Sequence, residues 1–214
     1  MNIIQTLAIS ALPVIFAITL HEAAHGYAAR HFGDTTAWKL GRISLNPLRH
    51  VDPVGTFLVP ALILLISSGG MLFGWAKPVP VDFGKLRRPK QDMLWVAAAG
   101  PAANLVMALG WGLLLKLVVD APENAYSEAM KEMARVGIGI NGVLMLLNLL
   151  PLPPLDGGRI AVSLLPPRAS LKFAQLERWG LPILLALLFS GILDRILQPL
   201  LSLYFALLLG LFGF

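Results

Sequence analysis

The sequence predicts an all-α polytopic membrane protein with a small membrane-associated β-strand or re-entrant region, and three observations predict it. Apolar runs long enough to matter to a bilayer recur from Ile3 to Phe214. Of the 214 residues, 57% are hydrophobic and only 14% charged, with a mean hydropathy of +0.73, which excludes an ordinary water-soluble domain. Third, His21, Glu22 and His25 follow directly on an unbroken apolar run, where ionisable groups are costly and by default mark a functional site.

The same numbers bound the organisation. No polar stretch is long enough to form a core of its own, so residues 1–214 are expected to be one domain, with a catalytic core over about 1–165 and a C-terminal helical hairpin over about 179–214. Cysteine is absent, which excludes disulfides and thiolate metal sites and leaves imidazole and carboxylate as ligands. The net charge of +5 fits cytoplasmic loops rich in Lys and Arg better than a nucleic-acid partner. Met1 to Leu20 lacks a basic leader, and cleaving it would sever the helix from His21, so it is expected to be retained.

In chain order, the first apolar segment covers about Ile3 to Phe32, with Pro13 expected to bend it. No charge precedes it, whereas Arg30, Lys39, Arg42 and Arg49 follow, so the N-terminus is expected outside and residue 33 onward in the cytoplasm. Residues 35–53 alternate apolar with polar side chains between Gly41, Pro47 and Pro53, which predicts a short strand pair. Its edge over about 40–46 is a candidate for pairing with an extended substrate, with Gly41 and Ile43 as positioning residues. Val54 to Ile66, closed by Ser67-Ser68-Gly69-Gly70, is marginal for spanning. A crossing there would put Lys77, Lys85, Arg87, Arg88 and Lys90 outside, so a re-entrant hairpin is expected.

The second span is about Met93 to Val119 and contains Gly100-Pro101-Ala102-Ala103-Asn104, where small side chains let a neighbour approach. Asn104 at that depth requires a hydrogen-bond partner and is a candidate for positioning substrate. Residues 120–134 are acidic and suit the outer face. A third span over about 135–150 then returns to the cytoplasm and breaks at Pro151, Pro153 and Pro154, with Gly157-Gly158 allowing a turn. Residues 159–178 are polar enough for a cytoplasmic connection, and runs at about 179–193 and 196–214 form a hairpin around Asp194-Arg195.

On a helix, His21 and His25 lie one turn apart and present two imidazoles to one ion, with Glu22 beside them as general base: the HExxH pattern. A catalytic zinc takes three protein ligands and leaves one position open. The break after the third span delivers Asp156 to the cytoplasmic level of the two histidines, provided residues 54–70 do not cross, and Asp156 is the chosen third ligand. His31 has the spacing of a metzincin ligand, but Ala28 stands where those enzymes turn on glycine. His50 and Asp52 are further alternatives.

With HEAAH (21–25), GPAAN (100–104) and PLPPLDGG (151–158) in this order on apolar segments, residues of about 15–165 resemble the site-2 protease family of intramembrane zinc metallopeptidases. GRISLNPLRHVDP and FGWAKPVPVDF look like its short prokaryotic members. The resemblance implies one zinc ion on His21, His25 and Asp156, with Glu22 as the base and Asn148 steadying the substrate or oxyanion. It further implies cleavage of membrane-anchored substrates within or near a transmembrane segment, in the cell membrane, with lipid and a transmembrane protein as partners. No helix precedes the HExxH helix and no PDZ or CBS domain is expected. A membrane metal transporter or sensor using the same ligands without hydrolysis is the alternative, and a non-catalytic assembly factor with a relic site has the same residues. Substrate identity and oligomeric state are not encoded in any recognisable pattern.

Overall fold

The computed structural model describes residues 3–66 and 74–214, which form nine α-helices and no β-strand. Three of the helices are long and apolar enough to cross a membrane: Ala8–His31, Pro89–Asp120 and Ile192–Phe212. They belong to α1 (Ile3–His31), α4 (Pro89–Asp120) and α9 (Ile192–Phe212). Two short helices, α2 (Thr36–Lys39) and α3 (Val59–Ile66), lie between α1 and α4. Helix α5 (Ser127–Asn148) covers the expected third span, but its first half carries Glu128, Lys131, Glu132 and Arg135 and only its second half is apolar.

Helices α1, α4 and α5 pack against one another and form the body of the protein, with α9 against α4 and α5. Without a hydrophobic effect between helices in lipid, close approach depends on small residues at the crossings. A methyl group on Gly137 would overlap Trp111, one on Gly142 would overlap the Tyr204 ring, and one on Gly112 would overlap Phe212. Tyr204 closes the α5–α9 crossing by donating its hydroxyl to the Ile138 carbonyl at 2.8 Å. Ala108, Leu115, Ala134, Ile138, Tyr204 and Leu208 are buried together there.

Past α5 the chain makes the short helices α6 (Asp156–Leu164) and α7 (Pro167–Ala174), then α8 (Glu177–Phe189), which pairs with α9. The α8–α9 turn falls at Ser190-Gly191, where Gly191 adopts a left-handed φ of 71°, so Asp194 sits in the first turn of α9 and not in the hairpin loop.

The expected strand pair over 35–53 does not form. In its place are α2, an irregular stretch through Arg42–Asn46 with a bend at Leu45, and a 3₁₀ turn at Pro47–His50. Local contacts shape this stretch instead: Asn46 N–H bonds Ser44 Oγ at 3.1 Å and His50 Nε2 bonds the Ser44 carbonyl at 2.8 Å, while Arg42 Nη2 ties the stretch to the carbonyls of Lys77 and Pro78. Pro78 and Pro80 have no N–H to contribute. Beyond it, six residues of π-helix (Pro53–Leu58) run into eight of α-helix in α3, capped by Asp52, whose Oδ1 accepts from Val54 and Gly55. Ser67 to Gly70, expected to close this run, lie outside the described residues.

Glycine-dependent packing yields a direct test. Gly142→Leu is expected to destabilise the fold by about 1–3 kcal/mol, as overpacking does. Thermal unfolding in detergent checks it, with Gly110→Leu as the control that stays at the wild-type midpoint, since nothing lies within 4 Å of a Cβ there.

Candidate metal centre

Two helices supply the three side chains of the centre. Helix α1 presents His21 and His25 on one face, and α6 opens on Asp156. Helix α6 packs against α4 and folds tightly onto the turn that follows α5: a methyl on Gly157 would overlap the carbonyls of Leu149 and Leu150, and one on Gly158 the backbone at Leu152 and Pro153. These two glycines were expected to turn the chain. They instead lie inside α6, without positive φ, and provide room for this backbone contact.

The result is a small triangle. His21 Nε2 and His25 Nε2 are 3.1 Å apart, and each is 3.3 Å from Asp156 Oδ2. The three side chains form the one group of possible metal ligands among the described residues. A tetrahedral ion bonded at about 2.0–2.1 Å places its ligand atoms about 3.3 Å apart, so the triangle has the right size for one.

Hydrogen bonding on the far side of each ring decides what faces the middle. His25 Nδ1 lies 2.7 Å from the Val96 carbonyl, which only accepts, so Nδ1 carries the proton. Pro101 interrupts the α4 ladder at Ala97, one residue away. His21 Nδ1 lies 2.6 Å from Asn104 Oδ1. The Asn104 amide has a forced orientation, because its Nδ2 donates to the Ala17 carbonyl at 3.2 Å and to Asn141 Oδ1 at 2.9 Å. Asn141 is oriented in turn by donating 2.8 Å to the Gly137 carbonyl. Both imidazoles therefore turn a bare Nε2 lone pair toward the centre, where Asp156 Oδ2 is buried without a hydrogen bond. Three converging lone-pair atoms repel, and one proton cannot bridge all three edges. A cation can, and imidazole with carboxylate is a zinc donor set.

Glu22 stands next to this triangle on α1 and accepts a 2.7 Å hydrogen bond from the Val79 N–H on Oε2. Its other oxygen has no protein partner among the described residues. Gly100 lies directly against the ligands, and a methyl there would overlap His21 and His25.

The remaining candidates fall elsewhere. Asn148 ends α5 and donates to its own helix at the Leu144 carbonyl, 3.0 Å away. Asn104 is 0% exposed and wholly committed to His21, Ala17 and Asn141, so its amide has no group left for a substrate. Gly41 takes a left-handed φ of 62° and its carbonyl is held by Arg49, whereas Ile43 packs toward Gly26, beside His25. His31 is exposed, His50 is buried against Ser44, and Asp52 caps a helix, so none of the three joins the triangle. Val96, Gly100 and Asn141 were missed as parts of the centre. An asparagine in the apolar half of a helix was the one available signal for Asn141.

A helical membrane protein whose HExxH helix and a distant Asp enclose one buried cation site belongs to the class of membrane metallopeptidases. Comparison with known proteins agrees. Residues 114–191 match the family described as Peptidase family M50, a region that holds Asp156 but not His21 or His25. The chain is 40% identical over 194 residues to "Putative zinc metalloprotease YwhC" of Bacillus subtilis, covering 89% of this chain and 84% of that protein. It is 32% identical over 181 residues to "Putative zinc metalloprotease Rip2" of Mycolicibacterium smegmatis and 27% over 180 residues to its namesake in Mycobacterium tuberculosis, spanning 66% of each. No solved structure matches the chain. The chain belongs to peptidase family M50, the site-2 protease family of intramembrane metalloproteases. That membership does not favour metal transport without hydrolysis.

Ligand orientation gives the second prediction. Asn104→Leu is expected to weaken metal affinity about 10–100-fold, as loss of a partner that orients a ligating histidine does, measured by competition with a chromogenic chelator.

Proposed function

We propose that this protein is a zinc-dependent intramembrane endopeptidase that cuts membrane-anchored proteins within or near a transmembrane segment. The observation that carries the reading is the buried triangle of three lone-pair atoms with a carboxylate, Glu22, beside it on the same helix. His21, His25 and Asp156 hold the ion, which supplies Lewis acidity toward water and toward a peptide carbonyl.

The chain's own residues supply the proton chemistry and the handling of substrate. Glu22 accepts the proton of the attacking water on the oxygen not bonded to Val79, then returns it to the leaving amine. Asn104 and Val96 keep the imidazoles in the ligating tautomer. Asn148 donates to the oxyanion after giving up its bond to Leu144.

A transmembrane helix hides its peptide groups in its own hydrogen bonds and must open before it is cut. The irregular stretch at Arg42–Asn46 is the receiving edge. Ser44 turns its carbonyl inward to His50, while the N–H and C=O groups of Ile43 and Leu45, which alternate with it, have no partner among the described residues. That edge accommodates an added strand, and Ile43 lies alongside Gly26, next to a ligand.

The membrane arrangement follows from charge. A crossing by the segment that contains Pro53–Ile66 would put Lys77, Lys85, Arg87, Arg88 and Lys90 outside, so the segment is read as entering the bilayer without crossing it. The N-terminus then lies outside, and the site faces the cytoplasmic side of the cell membrane.

Glu22→Gln is expected to keep one zinc per chain yet lose at least about 10²-fold in cleavage of a membrane-anchored reporter, the range general-base loss covers. Asp156→Ala and treatment with a zinc chelator should each abolish cleavage, and only the chelated protein should recover when zinc is added back. Full proteolysis by Glu22→Gln, read on gels alongside metal analysis, would remove the mechanism.

A further inference from the structure

Residues 75–82, WAKPVPVD, run extended across the site, and their hydrogen bonds are spent at intervals along the protein. The Trp75 N–H bonds the Gly55 carbonyl at 3.0 Å and the Lys77 N–H the His50 carbonyl at 2.8 Å. The Val79 N–H then bonds Glu22 Oε2 at 2.7 Å, and the Asp82 N–H bonds Asp34 Oδ2 at 2.7 Å. Arg42 holds the other side through the carbonyls of Lys77 and Pro78, at 3.1 and 3.2 Å. Prolines at 78 and 80 flank Val79, so its N–H is the single main-chain donor between Lys77 and Val81. That donor goes to a carboxylate of α1. No other main-chain group of the segment reaches the side chains at 21–25.

The side chain of Val79 fixes the register. It is buried against α1, and a Cβ on Gly26 would come within 3.1 Å of Val79 Cγ1 and 2.8 Å of Ile43 Cγ1. Gly26 lies one turn after Glu22 on the same face, so the absent side chain at 26 is what lets the segment descend close enough for its N–H to reach position 22. A free glutamate samples several rotamers, and a short charge-assisted bond to an anchored backbone holds it in one. The anchor reaches into the short membrane helix as well. Thr56 Oγ1 donates to the Trp75 carbonyl at 3.1 Å, and a methyl on Gly55 would overlap the Trp75 ring.

We infer that Val79 is a positioning residue for the proton-transfer step, its main-chain N–H holding the Glu22 carboxylate in the orientation that leaves the other oxygen for water. The inference rests on the proposed role of Glu22 as base, and it concerns a backbone group that side-chain substitution at Glu22 does not test.

The experiment deletes that N–H in two ways: by Val79→Pro, compatible with an extended chain, and by incorporating the α-hydroxy analogue of valine at position 79, which replaces the N–H by an ester oxygen. The same ester placed at Val81, whose N–H has no partner among the described residues, is the control. Cleavage kinetics on a membrane-anchored reporter, zinc content and thermal midpoint are measured for each. The expected result is a fall in kcat of about 10²-fold for the Pro and ester variants at Val79, with KM and zinc content at wild-type values, as misplacement of a catalytic group by about 1 Å produces. The Val81 ester should retain wild-type kcat. The Val79 ester decides the matter where Val79→Pro is poorly folded. A Val79 ester with wild-type or raised kcat overturns the inference, as does one that loses zinc in step with activity or changes KM instead of kcat. Proteolysis retained by Glu22→Gln would instead refute the reading of Glu22, a separate outcome obtained with Val79 unaltered.

Discussion

Everything in this structure depends on two imidazole nitrogens and one carboxylate oxygen facing each other at 3.1–3.3 Å, with the second nitrogen of each ring turned outward to an acceptor. In an apolar surrounding such a cluster is strongly unfavourable until a cation occupies it, and the cation is held only if the three atoms stay within a few tenths of an ångström of their places. The body of the protein supplies that constraint. Helix α4 meets α1 at Gly100, where any side chain would displace His21 and His25, and α6 folds onto the turn at 149–153 at Gly157 and Gly158, where any side chain would push Asp156 away. The same requirement for small residues recurs at Gly137 and Gly142. Helix crossings and metal geometry are thus set by one packing rule.

Polar groups are costly in this setting, with an unpartnered amide worth roughly 2–7 kcal/mol against burial. Asn104 and Asn141 are nevertheless both 0% exposed. They are tolerated because they form one directed chain: His21 Nδ1–H donates to Asn104, Asn104 donates to Ala17 and Asn141, and Asn141 donates to Gly137. Three helices are joined by it, and the direction of every bond is fixed by acceptor-only carbonyls at its ends. The chain converts the helix packing into a definite tautomer at the metal ligand.

On the other side of α1 the constraint is enforced by loops. Asp34, fully buried at the end of the helix, accepts from Thr36 and Asp82 and ties the extended segment to the helix terminus. Over 35–53 the chain bends at Leu45 and enters a 3₁₀ turn at Pro47, with Asn46 N–H bonded to Ser44 Oγ and the Ser44 carbonyl to His50, so the alternation of apolar and polar residues produced no strand pair. Period-two patterning reports which side chains face inward, not whether a second strand has free groups to meet them.

Local chemistry along the chain was enough for the membrane class, the long helices α1 and α4, the C-terminal hairpin, and the selection of His21, His25 and Asp156, which the fold brings together as one candidate group. Each rests on something encoded within a few residues: hydropathy over a helix length, an i, i+4 pair, prolines that must break a helix. The hydrogen-bond partners of the ligands were decided by the fold alone. Asn141, the Val96 carbonyl and the Val79 N–H acquire their roles only where separate segments cross, since a buried amide, a main-chain carbonyl and a main-chain N–H look the same in any sequence until packing determines what stands opposite them.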